Sequence, residues 1–92
     1  MRVLIADDHR IIRRSISSLL QSRTDIQFCG EAVNGEEAVS KAQLLKPDLL
    51  ILDISLPDSN GLEVATTLKK LLPEIPILLL SAYASEQLRQ EV

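Results

Sequence analysis

An α/β domain built on a parallel sheet is predicted by two features of this chain: short unbroken apolar runs that stop abruptly at a polar residue, and, between them, apolar residues recurring at helical spacing. The runs are Val3 to Ala6, Leu49 to Leu52 and Ile77 to Leu80. Continuous apolar runs suit strands covered on both faces, and the intervening amphipathic helices supply the cover.

The first run leads into a helix beginning near His9, because Ile12, Ile16, Leu19 and Leu20 fall at i, i+4, i+7 and i+8 while Arg10, Arg13 and Arg14 lie off that stripe. Ile26 and Phe28 alternate with Gln27 and Cys29, which predicts a half-covered edge strand before the segment Gly30 to Val33. Asn34 followed three residues later by Glu37 has the form of a capping box, and Ala38, Val39, Ala42 and Leu45 carry a helical face up to Lys46-Pro47. A third helix is introduced by Gly61, shows Leu62, Ala65, Leu68 and Leu72 as its apolar stripe, and ends at Pro73, which lacks a backbone donor. Pro76 opens the last run, and a further helix is expected to begin at about Ala84. Strands and helices alternating in this way form right-handed crossovers on one sheet.

The chain has 92 residues, enough for one domain and too few for a separate output domain. Phe28 and Tyr83 are its only aromatics, so the core is expected to be aliphatic. A formal charge of -3 argues against this domain gripping a phosphate backbone, which needs a dense basic face. The single cysteine, Cys29, excludes an intramolecular disulfide and is read as a small buried hydrophobe. The apolar start before Asp7-Asp8 is too short for a signal peptide or a membrane span, so a cytoplasmic protein is expected.

In open parallel sheets, ligands gather beyond the carboxyl ends of the strands. The residues closing the three runs are Asp7 with Asp8, Asp53, and Ser81. Carboxylates brought within a few ångströms repel one another by about 4 kcal/mol per close pair at an effective dielectric near 20, so something positive must sit among them. Oxygen ligands without a cysteine or histidine cluster point to a hard divalent cation, and Mg2+ suits a shallow site that keeps several waters. A carboxylate beside Mg2+ can attack phosphorus to form an acyl phosphate. Asp53 is the candidate nucleophile because it stands alone at the end of the central run; Asp7 and Asp8 are adjacent and suited to hold the metal. A plainer alternative makes Asp7 and Asp8 caps of the following helix.

Val3 to His9, Asp48 to Gly61 and Ile77 to Ala82 together resemble the three signature segments of the response regulator receiver domain, with the middle segment the most specific: an apolar strand, Asp53, then Pro57, then Gly61 opening a helix. The resemblance implies a flavodoxin-like, doubly wound fold of strand order 2-1-3-4-5, whose chemotaxis member is a standard example of the type. It implies that Asp53 accepts a phosphoryl group from a histidine kinase, with Mg2+ held by Asp7, Asp8, Asp53 and the backbone carbonyl of Ser55. Ser81 is implied as the switch residue that follows the phosphoryl group, and Ser55 and Tyr83 as positions that tune its hydrolysis. Arg10, Arg13 and Arg14 would form a basic patch where the kinase docks, or simply a solvated face. The stretch from Asp25 to Ala38 is similar to the subfamily with a LuxR-type output domain, through which DNA would be reached. His9, without a partner histidine, is given a peripheral place.

Receivers continue into a fifth strand ending in a Lys, and a fifth helix, whereas this sequence stops at Val92, so residues 1-92 are expected to form a single incomplete receiver of order 2-1-3-4. None of Lys41, Lys46, Lys69 or Lys70 falls at a strand end where it could replace that Lys. The Ile77 to Leu80 strand would then be an uncovered edge, and burying each such side chain is worth roughly 1.5 to 3 kcal/mol, a large fraction of a stability of about 5 to 15 kcal/mol. The chain is expected either to be only marginally folded as a monomer or to pair that edge with a second copy, as a dimer or an element-swapped oligomer. Two rivals remain open. A haloacid-dehalogenase-like phosphatase also uses a strand-end Asp and Mg2+, but expects Asp-x-Asp where this chain has Asp53-Ile54-Ser55; the other is a phosphorylation-impaired receiver that acts only as a dimerisation or interaction module.

Overall fold

The computed structural model describes residues 1–58 and 60–80. Seven elements follow in order: β1 (Arg2–Ala6), α1 (Arg10–Gln21), β2 (Gln27–Ala32), α2 (Gly35–Leu45), β3 (Leu49–Asp53), α3 (Gly61–Leu71) and β4 (Ile77–Leu80). The strands form one sheet of order β2-β1-β3-β4, all pairs parallel. This is the flavodoxin-like α/β architecture expected from the alternating pattern.

Alternate side chains of the central strands point to opposite faces, which divides the core in two. On one face Leu4, Ala6, Leu50 and Leu52 pack against Ala38 and Ala42 of α2 and Val64 and Leu68 of α3. On the other, Val3, Ile5 and Ile51 meet Ile16 and Leu20 of α1 together with Ile26 and Phe28. Val3, Leu4, Ile5 and Ala6 have no exposed surface at all, which is why β1 reads as an unbroken apolar run.

Two predicted stripes need correction. Leu19 is 76% exposed, because Ile12, Ile16 and Leu20 already define the buried line of α1 and Leu19 lies about 100° away from Leu20 around the helix. In α3 the buried residues are Gly61, Val64 and Leu68, a true i, i+3, i+7 set, while Leu62 is turned to solvent. The second strand also extends further than its alternation predicts, through Gly30 and Glu31 to Ala32. Its register shifts by one residue opposite Val3 and Leu4, so Cys29 is the extra residue of a bulge, half-buried with its thiol 3.5 Å from the Val3 carbonyl.

The capping box of α2 forms largely as its sequence suggests: the Asn34 side chain accepts from the Glu37 amide at 2.8 Å, and the Glu37 carboxylate reaches back to the Val33 amide at 3.3 Å. Lys46 ends that helix in the left-handed region at φ 46°, an uncommon conformation for a residue with a side chain.

Gly61 brings α3 close to the end of β3. A Cβ there would lie 2.3 Å from the Ile54 Cα and 2.6 Å from the Asp53 carbonyl oxygen, both backbone atoms with no freedom to yield. The glycine amide donates to the Ile54 carbonyl at 3.0 Å. Gly61→Ala is therefore expected to lower stability by roughly 1 to 3 kcal/mol, the usual cost of overpacking, read as a shift in urea midpoint at unchanged slope. Leu78 and Leu79 on β4 remain 50% and 40% exposed. Self-association that rises with concentration in sedimentation, and is suppressed by Leu78→Lys, is the expected consequence of that apolar surface.

Candidate functional site

Parallel pairing in the register Ala6 to Leu52 sets the carboxyl ends of β1 and β3 side by side, so the residues just beyond them converge. Asp53 is the last residue of β3, and Asp7 and Asp8 follow β1. The place is a topological switch point: β1 continues the sheet to β2, β3 continues it to β4, and a crevice opens between them. Asp7 and Asp53 are buried there, and Asp8 is exposed.

Backbone hydrogen bonds aim these carboxylates. The Asp7 amide donates to the Ala32 carbonyl of β2 at 2.9 Å, extending the ladder one residue past the strand. Asp7 Oδ1 accepts from the His9 amide at 2.8 Å, and Asp53 Oδ1 from the Ser55 amide at 2.9 Å, two short loops of Asx-turn type. The alternative in which Asp7 and Asp8 cap α1 is not realised: His9 is the N-cap residue, the helix receives no side-chain cap, and no acidic residue lies in its first turn.

His9 is not peripheral. Its Nδ1 lies 3.0 Å from Asp7 Oδ1, 3.1 Å from Asp8 Oδ1 and 3.7 Å from Asp53 Oδ2. The physical reason is that His9 is the N-cap of α1, extended at φ -94° and ψ 106°, and its ring lies among the acids at the strand ends. Asp7, Asp8, His9 and Asp53 each offer a ligand atom, all within 4.8 Å of one another.

The electrostatics follow from that crowding. Its hydrogen bond to Asp7, with the charges of Asp8 and Asp53 adding to it, holds the His9 imidazole above its ordinary value of 6.5 against a smaller desolvation effect. Burial pushes the Asp53 carboxyl above its ordinary 3.8, and neighbouring Asp7 pushes the same way, while the Ser55 amide and His9 oppose. An acid whose folded value is raised loses stability as pH climbs from its unfolded value through its folded one. At neutral pH the ionised Asp53 is thus a net burden on the fold.

The predicted arginine patch divides. Arg10 and Arg14 are exposed, but Arg13 is turned inward: its Nη1 donates to the Asp7 carbonyl at 2.6 Å and its Nε lies 3.4 Å from Glu31 Oε2, with the side chain only 12% exposed. Ser55 is exposed beside Asp53. Ser81 and Tyr83 lie outside the described residues; Leu80, the last described residue of β4, is in register with Asp53 and its carbonyl accepts from the Ile54 amide at 2.9 Å. Lys41, Lys69 and Lys70 are helical and Lys46 is the C-cap of α2, so none is at a strand end.

Two residues of the turn-rich segment after Asp53 have roles that the turn signal alone did not reveal. Asp58 accepts from the Gly35 and Glu36 amides at 2.7 and 3.1 Å, placing a carboxylate on the positive end of α2. Asn60 accepts from the Leu62 amide at 2.8 Å and caps α3. The signal for Asn60 was local, an N-cap type just before a helix, whereas the partner of Asp58 lies 23 residues away.

A doubly wound parallel sheet with buried carboxylates at its switch point defines an α/β domain with an acidic strand-end site. The chain belongs to the response regulator receiver domain family, whose model matches residues 3–92. Response regulator protein VraR of Staphylococcus aureus is 41% identical over 87 residues, a match covering 95% of this chain and 42% of that protein. Among solved structures, a LuxR-family two-component response regulator from Aurantimonas sp. SI85-9A1 superposes with TM-score 0.82 at 26% identity, over 87% of this chain and 57% of that one. RcsB from Salmonella enterica serovar Typhimurium, bound to the promoter rprA in the presence of the phosphomimetic BeF3-, does so with TM-score 0.82 at 27% identity, over 88% and 47%. The chain thus spans less than half the length of the curated relatives it matches. No helix among the described residues is long and apolar enough to cross a membrane.

The Asp53 electrostatics carry a measurable consequence. At neutral pH, Asp53→Asn is expected to raise the melting temperature of the metal-free chain by several degrees, because the amide keeps an oxygen for Ser55 and carries no charge. The gain should shrink as pH falls through the raised range in which the wild-type Asp53 carboxyl takes up its proton, and be lost below the ordinary 3.8. Equal melting curves for the two chains at neutral pH would reject it.

Proposed function

We propose that Asp53 is the phosphoacceptor of a two-component signalling chain, phosphorylated by a histidine kinase. The observation that carries the reading is the buried Asp53 carboxylate standing at a strand end amid Asp7, Asp8 and His9. A carboxylate oxygen of Asp53 attacks phosphorus of the kinase phosphohistidine, the P–N bond breaks, and the imidazole leaves with its electron pair, so an acyl phosphate replaces a phosphoramidate.

The donor set fits Mg2+. Asp7, Asp8 and Asp53 offer oxygen ligands of the kind a hard cation prefers, and the His9 imidazole already stands in their midst. The backbone carbonyl of Ser55 would complete the protein's share. When bound, Mg2+ offsets the negative charge of the incoming phosphoryl group. Every other contribution belongs to the chain: burial keeps water from the nucleophile, and the Ser55 amide fixes the Asp53 rotamer.

Ser81, which follows the strand residue in register with Asp53, is proposed to hydrogen-bond a phosphoryl oxygen and to bias a two-state equilibrium, with Ser55 and Tyr83 tuning hydrolysis. The exposed Arg10 and Arg14 flank exposed Ile11 on α1 and are proposed to receive the kinase. DNA is proposed to be reached through an output domain outside this chain, a reading supported by the similarity to RcsB, which is itself seen bound to the promoter rprA. The reading makes the chain a cytoplasmic signalling domain that turns over at most its own acyl phosphate and no free phosphate ester. A second reading is favoured by the exposed Leu78 and Leu79: a module that dimerises through β4 and takes up phosphate poorly or not at all.

Intact-mass measurement after incubation with acetyl phosphate and Mg2+ separates these. One phosphoryl adduct is expected on the wild type and none on Asp53→Asn. An adduct on the variant would displace Asp53 from its role, and a wild type without one would favour the dimerisation module. Release of phosphate from a small phosphate ester over many turnovers would instead support the phosphatase.

A further inference from the structure

Arg13, expected with Arg10 and Arg14 in a docking patch or solvated face, is instead turned into the site. It lies in the first turn of α1, where its amide donates to the His9 carbonyl at 3.1 Å. Its guanidinium bends back over the turn joining β1 to α1 and donates to the Asp7 carbonyl at 2.6 Å, while its Nε faces Glu31 of β2 at 3.4 Å. Glu31 is in register with Ile5, two residues before Asp7, and the Asp7 amide is already bonded to Ala32 next to it. The Asp7 backbone is thus held at its amide by β2 and at its carbonyl by Arg13. With 12% exposure the Arg13 side chain is largely removed from the surface where a partner would meet it.

We infer that Arg13 is a positioning residue for the acidic site, which fixes the turn bearing Asp7 and Asp8 in the geometry that binds the divalent cation. The inference rests on the proposed Mg2+ site. A planar fork with donors on adjacent nitrogens can span a carbonyl and a carboxylate at once, which a lysine ammonium cannot do in the same geometry. Two effects of its removal oppose each other. Loss of a nearby positive charge strengthens the attraction of the carboxylates for a cation, whereas loss of the turn geometry weakens the binding. The sign of the change in cation affinity therefore distinguishes positioning from mere charge.

Mg2+ titration of the chain by calorimetry, and of Arg13→Ala and Arg13→Lys, decides the matter. Positioning predicts about tenfold weaker Mg2+ binding in Arg13→Ala, the lower end for loss of an outer-shell partner, and a smaller loss of about threefold in Arg13→Lys. Tighter or unchanged binding in Arg13→Ala overturns the inference. Should that variant fail to fold by circular dichroism, Arg13→Lys decides on the same criterion: weaker binding supports positioning and unchanged binding overturns it. Adduct formation from acetyl phosphate should slow along with kinase phosphorylation; a slower kinase reaction alone marks a docking residue and also overturns it. Amide exchange gives an arm free of metal, in which the Asp7 and His9 amides of Arg13→Lys should exchange about tenfold faster while those of Leu50 to Leu52 stay unchanged. A wild type that binds no Mg2+ refutes the proposed site, yet the exchange arm still decides whether Arg13 holds the turn.

Discussion

The folded domain depends on one costly constraint, the burial of Asp53 beside Asp7 at the ends of two adjacent parallel strands. Like charges at such close range oppose the fold, and burial makes the Asp53 carboxyl harder to ionise. The surrounding structure is arranged to tolerate this. The sheet holds the two strand ends in register, the Ser55 and His9 amides point at the carboxylates, and the His9 ring, made easier to protonate by these acids, stands within 3.0 to 3.7 Å of all three. A site that destabilises its own resting state is one on which a cation or a phosphoryl group can act strongly.

That tension is sustained because each segment carrying the site is tied twice. The turn after β1 is held by β2 through Ala32 and by α1 through Arg13. The segment after β3 is pinned to α3 by the close approach of Gly61 and to α2 by the Asp58 carboxylate. Loops of this kind would otherwise be the most mobile parts of a doubly wound fold. Here they are fastened to the helices on the face formed by α2 and α3 and to α1 on the other, so the site is anchored to both faces of the sheet.

The apolar pattern of the chain determined most of this arrangement. Unbroken runs became central strands because β1 and β3 are covered on both faces, and the strand-end acids were legible as a site because parallel strands deliver their carboxyl ends to one edge. Asn34 and Glu37 announced the start of α2 through purely local bonds. Where the pattern misled, the competing principle is plain: Leu62 and Leu19 are apolar residues next to stripes already filled by Val64 and Ile16, and a leucine can be left in solvent when its neighbour on the helix takes the core position.

What only the tertiary structure decided are the contacts between residues distant in sequence, and those that hang on where a helix begins. The extended N-cap conformation of His9 at the start of α1 sets its ring in the acid cluster. The inward turn of Arg13 depends on Glu31 lying across from it on β2, and the capping of α2 by Asp58 depends on the crossover that returns the chain beside it. Periodicity records which face of an element is apolar, and it carries no information about which polar group on a neighbouring element will lie within hydrogen-bonding distance. The sequence by itself therefore determined the sheet, its helical cover and the acid triad, whereas the fastening of that triad by His9, Arg13 and Asp58 was settled by how the elements pack.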